Sequence, residues 1–182
     1  MNLYRAPDEG VIRENGTRII TFRIRTFQRL IEKCEKIFGT GAIVILYGEG
    51  MAVGEAGMEY SRSQIASDED LWTVLDKLVA VRGWGRITNM KISRDDDQVA
   101  HVFRWKNTPL AYEKRKDGPV CDFCRGILAG WLQAYYGKKA VDSKETRCEA
   151  VGDPYCEFEI LFKPAIVKKP ERERLDVHKG HA

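Results

Sequence analysis

Four of the chain's five cysteines fall between residues 121 and 156. Cys121 and Cys124 stand at the start of a helical run, Cys148 follows Glu145 by three residues, and Cys156 lies beyond Val151-Gly152-Asp153-Pro154. Thiolates and a carboxylate brought together from separate short elements are the donor set of a closed, tetrahedral zinc site. Four protein ligands leave no open position, so such a metal is structural, not catalytic. Two other chemistries fit the same residues. Reduced cysteines are common core fillers, and Cys121-x-x-Cys124 at a helix start could be a redox dithiol, since a helix N-terminus lowers thiol pKa. Against the dithiol, the stretch before Pro119 reads as a charged loop and not as a strand of a βαβ unit. Cys34 stands apart, on the apolar stripe of an earlier helix, and reads as core.

The elements that must carry these residues follow from turn signals and periodicity. Val11–Arg13 and 17–22 flank Glu14-Asn15-Gly16, which predicts a hairpin. Phe27, Leu30, Ile31, Cys34, Ile37 and Phe38 recur at helical spacing up to the stop Gly39, predicting a helix over 26–38 with that stripe buried. Residues 39–60 are rich in glycine and alanine but match neither the dinucleotide fingerprint nor the phosphate loop. They predict a helix, interrupted near Tyr47-Gly48, whose small residues allow close packing or leave room for a ligand. A helix over 68–81 is capped by Ser67 with Asp70 three residues on. Strands over 86–93 and 98–105 flank the acidic turn Asp95-Asp96-Asp97. Pro119 opens a helix ending before Gly137, and a hairpin pairs 140–149 with 155–162. The order predicts an α+β domain, an antiparallel sheet with helices packed on it, over residues 1–163. Residues 164–182 read as a flexible charged tail.

Composition narrows the function. A net charge of +3 on 182 residues is too small to argue for nucleic acid. No apolar run has the length of a membrane span, and five cysteines without a secretion signal point to a reducing, cytoplasmic setting. His101 lies in a predicted strand and His178 and His181 lie in the tail, so no catalytic constellation forms. The expectation is a protein that is not an enzyme.

The segment Pro119-x-Cys121-x-x-Cys124-x-Gly126-x-x-x-Gly130-Trp131, followed by Glu145-x-x-Cys148-x-x-x-Gly152-Asp153-Pro154-x-Cys156-x-Phe158, resembles the 4-vinyl-reductase (hydrocarbon-binding) domain family. That family occurs in phenol- and hydrocarbon-sensing regulators. Its fold is the ligand-binding fold shared with nitric-oxide sensors and with TRAPP-like subunits of Golgi transport. The resemblance implies zinc ligation by Cys121, Glu145, Cys148 and Cys156, with Cys124 as an alternative helix thiol. In a regular strand Glu145 and Cys148 face opposite ways, so joint ligation requires a bulge around Thr146-Arg147. Arg125, Lys144 or Arg147 would offset the anionic charge. The resemblance also implies a cavity between helices and sheet for a small apolar or aromatic ligand, with Trp105 of Trp105-x-Asn107 lining it. Phe103, Tyr47 and Trp84 join as candidates by size and position. The implied protein is a homodimeric sensor domain signalling through a protein partner. The alternatives are a TRAPP-like scaffold and a cysteine-based redox regulator.

Overall fold

The structure is a computed structural model and describes residues 3–6, 10–14, 16–65, 68–94, 98–137, 140 and 142–163. Asn15, Ser67, the turn Asp95-Asp96-Asp97 and the tail with His178 and His181 lie outside the described residues. In chain order the elements are β1 (Leu3–Ala6), β2 (Val11–Glu14), β3 (Thr17–Ile19), α1 (Ile24–Phe38), α2 (Gly41–Ser61), α3 (Asp68–Val81), β4 (Arg86–Arg94), β5 (Val99–Lys106), α4 (Asp122–Tyr136), β6 (Asp142–Arg147) and β7 (Cys156–Phe162). The fold is α+β, with two antiparallel sheets ordered β1-β2-β3 and β4-β5-β7-β6.

The larger sheet unites the second and third predicted hairpins through β5 and β7. Successive residues of a strand face opposite sides. On β7 this turns Cys156, Phe158, Ile160 and Phe162 inward and half-exposes those between. The register sets Trp105 beside Cys156, Phe103 beside Phe158 and His101 beside Ile160. These side chains and the inner residues of α3 (Leu71, Val74, Leu75, Val79) form the core with α4, which is buried on nearly every side.

The glycine-rich stretch forms one helix, α2, without the break expected at Tyr47-Gly48. Its glycines meet those of α4. A methyl group added at Gly54 would lie 2.7 Å from the Trp131 nitrogen, and one at Gly130 would lie 2.8 Å from Met51 Cα. Gly50 and Gly126 are equally pressed, backbone against backbone. The matched positions advance together along both helices, so the two run in the same direction. Each helical glycine costs about 1 kcal/mol of propensity. Here that cost is offset by the main-chain contact that only a missing side chain permits.

α1 departs from the predicted stripe. Ile31 and Gln28 are buried, while Leu30, Ile37 and Phe38 stay open and Cys34 is half-buried. The polar Gln28 takes the inward place because its Nε2 donates to the carbonyls of Pro109 (3.0 Å) and Tyr112 (2.8 Å). Buried main-chain acceptors require such partners. α4 begins at Asp122, with Cys121 as its N-cap residue, so Pro119 precedes the helix rather than opening it.

Candidate metal centre and apolar groove

Four short elements end at one point: the loop after β5, the start of α4, the end of β6 and the start of β7. The bulge needed to turn Glu145 and Cys148 to the same place is present. Glu145 pairs with Phe158 and Arg147 with Glu157, leaving Thr146 as the extra residue. Beyond β6, a 3₁₀ turn over Glu149–Val151 and a left-handed Gly152 (φ 110°) reverse the chain toward Cys156. Asp153 closes this turn, its Oδ2 accepting the Cys148 N–H at 2.9 Å.

The structure brings together Cys121, Glu145, Cys148 and Cys156, with one donor atom from each lying within 4.8 Å of all the others. The sulfurs are 3.7 Å (Cys121–Cys156), 4.0 Å (Cys121–Cys148) and 4.0 Å (Cys148–Cys156) apart. Zinc–sulfur bonds of about 2.3 Å at tetrahedral angles require edges of about 3.8 Å. Glu145 Oε2 accepts the Cys121 N–H at 2.9 Å, while its buried Oε1 has no hydrogen-bond partner among the described residues. A buried carboxylate oxygen without a donor is costly, and a cation at the thiols would satisfy it. The three thiols and this carboxylate therefore fit a divalent, thiophilic ion.

Without an ion the cluster holds its protons unevenly. Hydrogen bonds from the thiols of Cys121 and Cys156 hold the Cys148 thiol far below the ordinary thiol range. Bonds with Cys124, Cys148 and Cys156, together with burial, push Cys121 well up. Cys121 draws Cys156 down, but Cys148 and burial outweigh it and Cys156 also stays protonated at neutral pH. Burial, then the neighbouring Cys148 charge, raise Glu145 to about 8. Nearby cations are committed elsewhere. Arg125 binds Ser143 and Asp122 (2.8 Å to each), Lys144 pairs with Glu159 (2.6 Å), and Arg147 lies 3.7 Å from Asp153.

A second feature is an open apolar groove of about 520 Å³ between the first hairpin, α1 and the end of α3. Ile12, Ile19, Phe22, Phe27, Leu30 and Trp84 supply apolar walls, and Pro109 closes one side. Glu14 and Arg82 place an ion pair in it, with both Arg82 Nε (3.1 Å) and a terminal nitrogen (2.8 Å) on one carboxylate oxygen. Trp84 stacks on Phe123 of α4 (5.5 Å, 20°), and Phe27 meets both rings edge-on.

Residues 101–162 match the 4-vinyl-reductase domain. This is the family whose motif the sequence resembles, and the matched stretch runs from within β5 to the end of β7, spanning Cys121, Glu145, Cys148 and Cys156. The chain is similar in fold to the phenol-responsive sensory domain of the transcription activator PoxR with phenol, at 20% identity and a TM-score of 0.74 over 89% of this chain and 84% of that one. It is also similar to a trafficking protein particle complex subunit 3 from Naegleria fowleri covalently bound to palmitic acid, at 17% identity and a TM-score of 0.53 over 75% and 90%. No curated protein matches the chain. No helix among the described residues is long and apolar enough to cross a membrane.

Within and around the matched segment the four aromatic candidates separate. Trp105 and Phe103 are fully buried, and the Trp105 indole N–H is spent on the Trp84 carbonyl at 2.8 Å. Phe103 meets Trp72 edge-on at 5.1 Å. Tyr47 lies on α2 under the Arg125 guanidinium (4.4 Å), its hydroxyl 3.0 Å from Ser143 Oγ. Trp84 is the one of the four that lines the groove. His101 is a buried structural group, with Nε2 3.2 Å from the Tyr136 hydroxyl. Reasoning from sequence did not find Ile12, Ile19, Phe22 or Leu30 as lining residues. The signal available was their apolar character in a hairpin and helix too short to bury them alone. It also missed Thr108, outside the motif, and Glu149, at an unassigned position within it, whose polar atoms reach Cys156.

Proposed function

We propose that the protein is a non-enzymatic sensor domain that binds a small apolar or aromatic molecule, is held together by one structural zinc ion, and signals through a protein partner. The observation that carries the ligand reading is the apolar groove, whose lining residue Trp84 stacks on Phe123 of α4, the helix that Cys121 caps. Apolar concavities with few polar groups are the usual sites for small molecules. The two solved neighbours, one with phenol and one bound to palmitic acid, support the same class of ligand. Cys121, Glu145, Cys148 and Cys156 would hold the ion, which supplies a cross-link with no open coordination position.

A screen of neutral aromatic and alkyl compounds by thermal shift tests the ligand reading. A binder present at 100 times its Kd raises stability by about 2.7 kcal/mol. We expect that shift for the intact protein and its loss in Trp84→Ala, with metal content unchanged. No shift across the screen, or a shift that Trp84→Ala retains, counts against the groove.

The scaffold alternative shares the fold and would show no ligand-dependent shift. A dithiol switch at Cys121-x-x-Cys124 needs a lowered thiol pKa, whereas Cys121 is pushed upward. The domain is proposed to act as a homodimer. Ile37 and Phe38 at the end of α1 and Val44 early in α2 are apolar side chains exposed by 70%, 54% and 74%. Such surfaces on soluble chains mark contacts. Light scattering should give twice the chain mass, falling to one chain in Ile37→Glu/Val44→Glu; a wild-type monomer contradicts the proposal.

A further inference from the structure

Beside the thiols lies a buried hydroxyl outside the ligand set. Thr108, fully buried in the loop after β5, places its Oγ1 3.2 Å from Cys156 Sγ, 3.8 Å from Cys121 Sγ and 3.0 Å from Glu149 Oε2. The same Glu149 oxygen accepts the Thr108 N–H (3.0 Å), and the other accepts the Asn107 N–H (2.9 Å). The Glu149 N–H in turn points at Cys156 Sγ, 3.4 Å away.

A hydroxyl has one proton and two lone pairs. While Cys156 is a thiol, its S–H can point to Oγ1 and the Thr108 O–H can point to Glu149. A metal-bound thiolate only accepts, and the Thr108 hydroxyl, 3.2 Å from Cys156 Sγ, stands where it can turn its proton to sulfur. Glu149 Oε2 keeps the Thr108 N–H through this change, and no carboxylate oxygen is left bare. The exchange is a rotation about one bond. Its value lies in charge: three thiolates and a carboxylate around a divalent ion leave a net charge of −2, which donors to sulfur disperse.

We propose that Thr108 is a positioning residue of the metal centre, its hydroxyl turning from Glu149 to the Cys156 thiolate when the ion is bound and tying the loop after β5 to the site. This rests on the metal reading above. The loop's path does not depend on the hydroxyl. Glu149 holds Asn107, Gln28 holds the Pro109 carbonyl, and Gly85 packs against the carbonyls of Lys106 and Asn107. Thr108→Val therefore removes the donor with little change of shape. Because Pro109 lines the groove, the same loop joins the ion to the ligand wall.

Cobalt(II) loaded into the full chain reports on the sulfur donors directly. With Thr108→Val, we expect the sulfur-to-cobalt charge-transfer band to move to lower energy and cobalt to pass to EDTA about 10–100-fold faster than from wild type. Thr108→Ser should restore both. A valine variant that matches wild type in band and rate, or a serine variant that restores neither, overturns the proposal. Wild-type protein that takes up no cobalt overturns the metal reading itself, and this proposal with it.

Discussion

Cys148→Ser should melt on the order of 10 °C below the wild-type protein, and wild type stripped by a chelator should melt at the same lower temperature. Structural zinc sites contribute binding free energy directly to folding, and for a chain of this size each 1 kcal/mol moves Tm by about 2–4 °C. The loss is large because Cys121, Cys148 and Cys156 come from three elements, and removing one thiol leaves the other donors buried without a shared cation. The pH dependence separates the two forms. Unfolded Glu145 ionises near 4.5, folded Glu145 only near 8 because it is buried beside the Cys148 charge. Its folded pKa is raised, so the stability it contributes to the metal-free protein is full below 4.5 and drains away as pH rises toward 8. Cys121 and Cys156 also hold protons at neutral pH, so metal uptake at pH 7 should release about three protons per ion and tighten as pH rises. Thermal melts from pH 5 to 8, with and without chelator, check this. Equal pH profiles for the two forms would contradict it.

The second large effect concerns α2 and α4. Gly130→Ala should destabilise the protein by about 3 kcal/mol or more, although alanine is the better helix former by about 1 kcal/mol. The added carbon overlaps the Met51 carbonyl oxygen and comes 2.8 Å from Met51 Cα, both main-chain atoms that cannot swing aside. Gly54→Ala meets the Trp131 nitrogen at 2.7 Å and should behave alike. Gly48→Ala is the control, on the same α2 helix with nothing within 4 Å of the added carbon, and should stabilise by up to about 1 kcal/mol. Denaturant melts of the three variants decide the matter. Stabilisation by Gly130→Ala as large as that by Gly48→Ala would show that propensity, not helix contact, governs the pair.

Local chemistry carried far in this chain. The bulge at Thr146 was legible because two residues three apart on one strand cannot otherwise meet at a single ion. The alternation of β7 and the stop at Gly137 were legible for the same local reason. What escaped was set by distant partners. The break expected at Tyr47-Gly48 rested on glycine propensity, yet α2 is held straight by glycines of α4, nearly eighty residues away in sequence. The α1 stripe read as core because Leu30, Ile37 and Phe38 recur at helical spacing. Nothing local says that Gln28 will take the inward place by binding two carbonyls of a loop more than eighty residues later. Thr108 lies outside the motif, and Glu149 stands at a position within it to which the motif gives no role. Their part depends on where the loop after β5 meets the turn after β6.

Metal content bears most directly on the account. Protein purified without chelators and measured by inductively coupled plasma mass spectrometry should carry one zinc ion per chain, and Cys148→Ser should carry none. Wild-type chains free of metal, or a Cys148→Ser protein that retains the full complement, would contradict it.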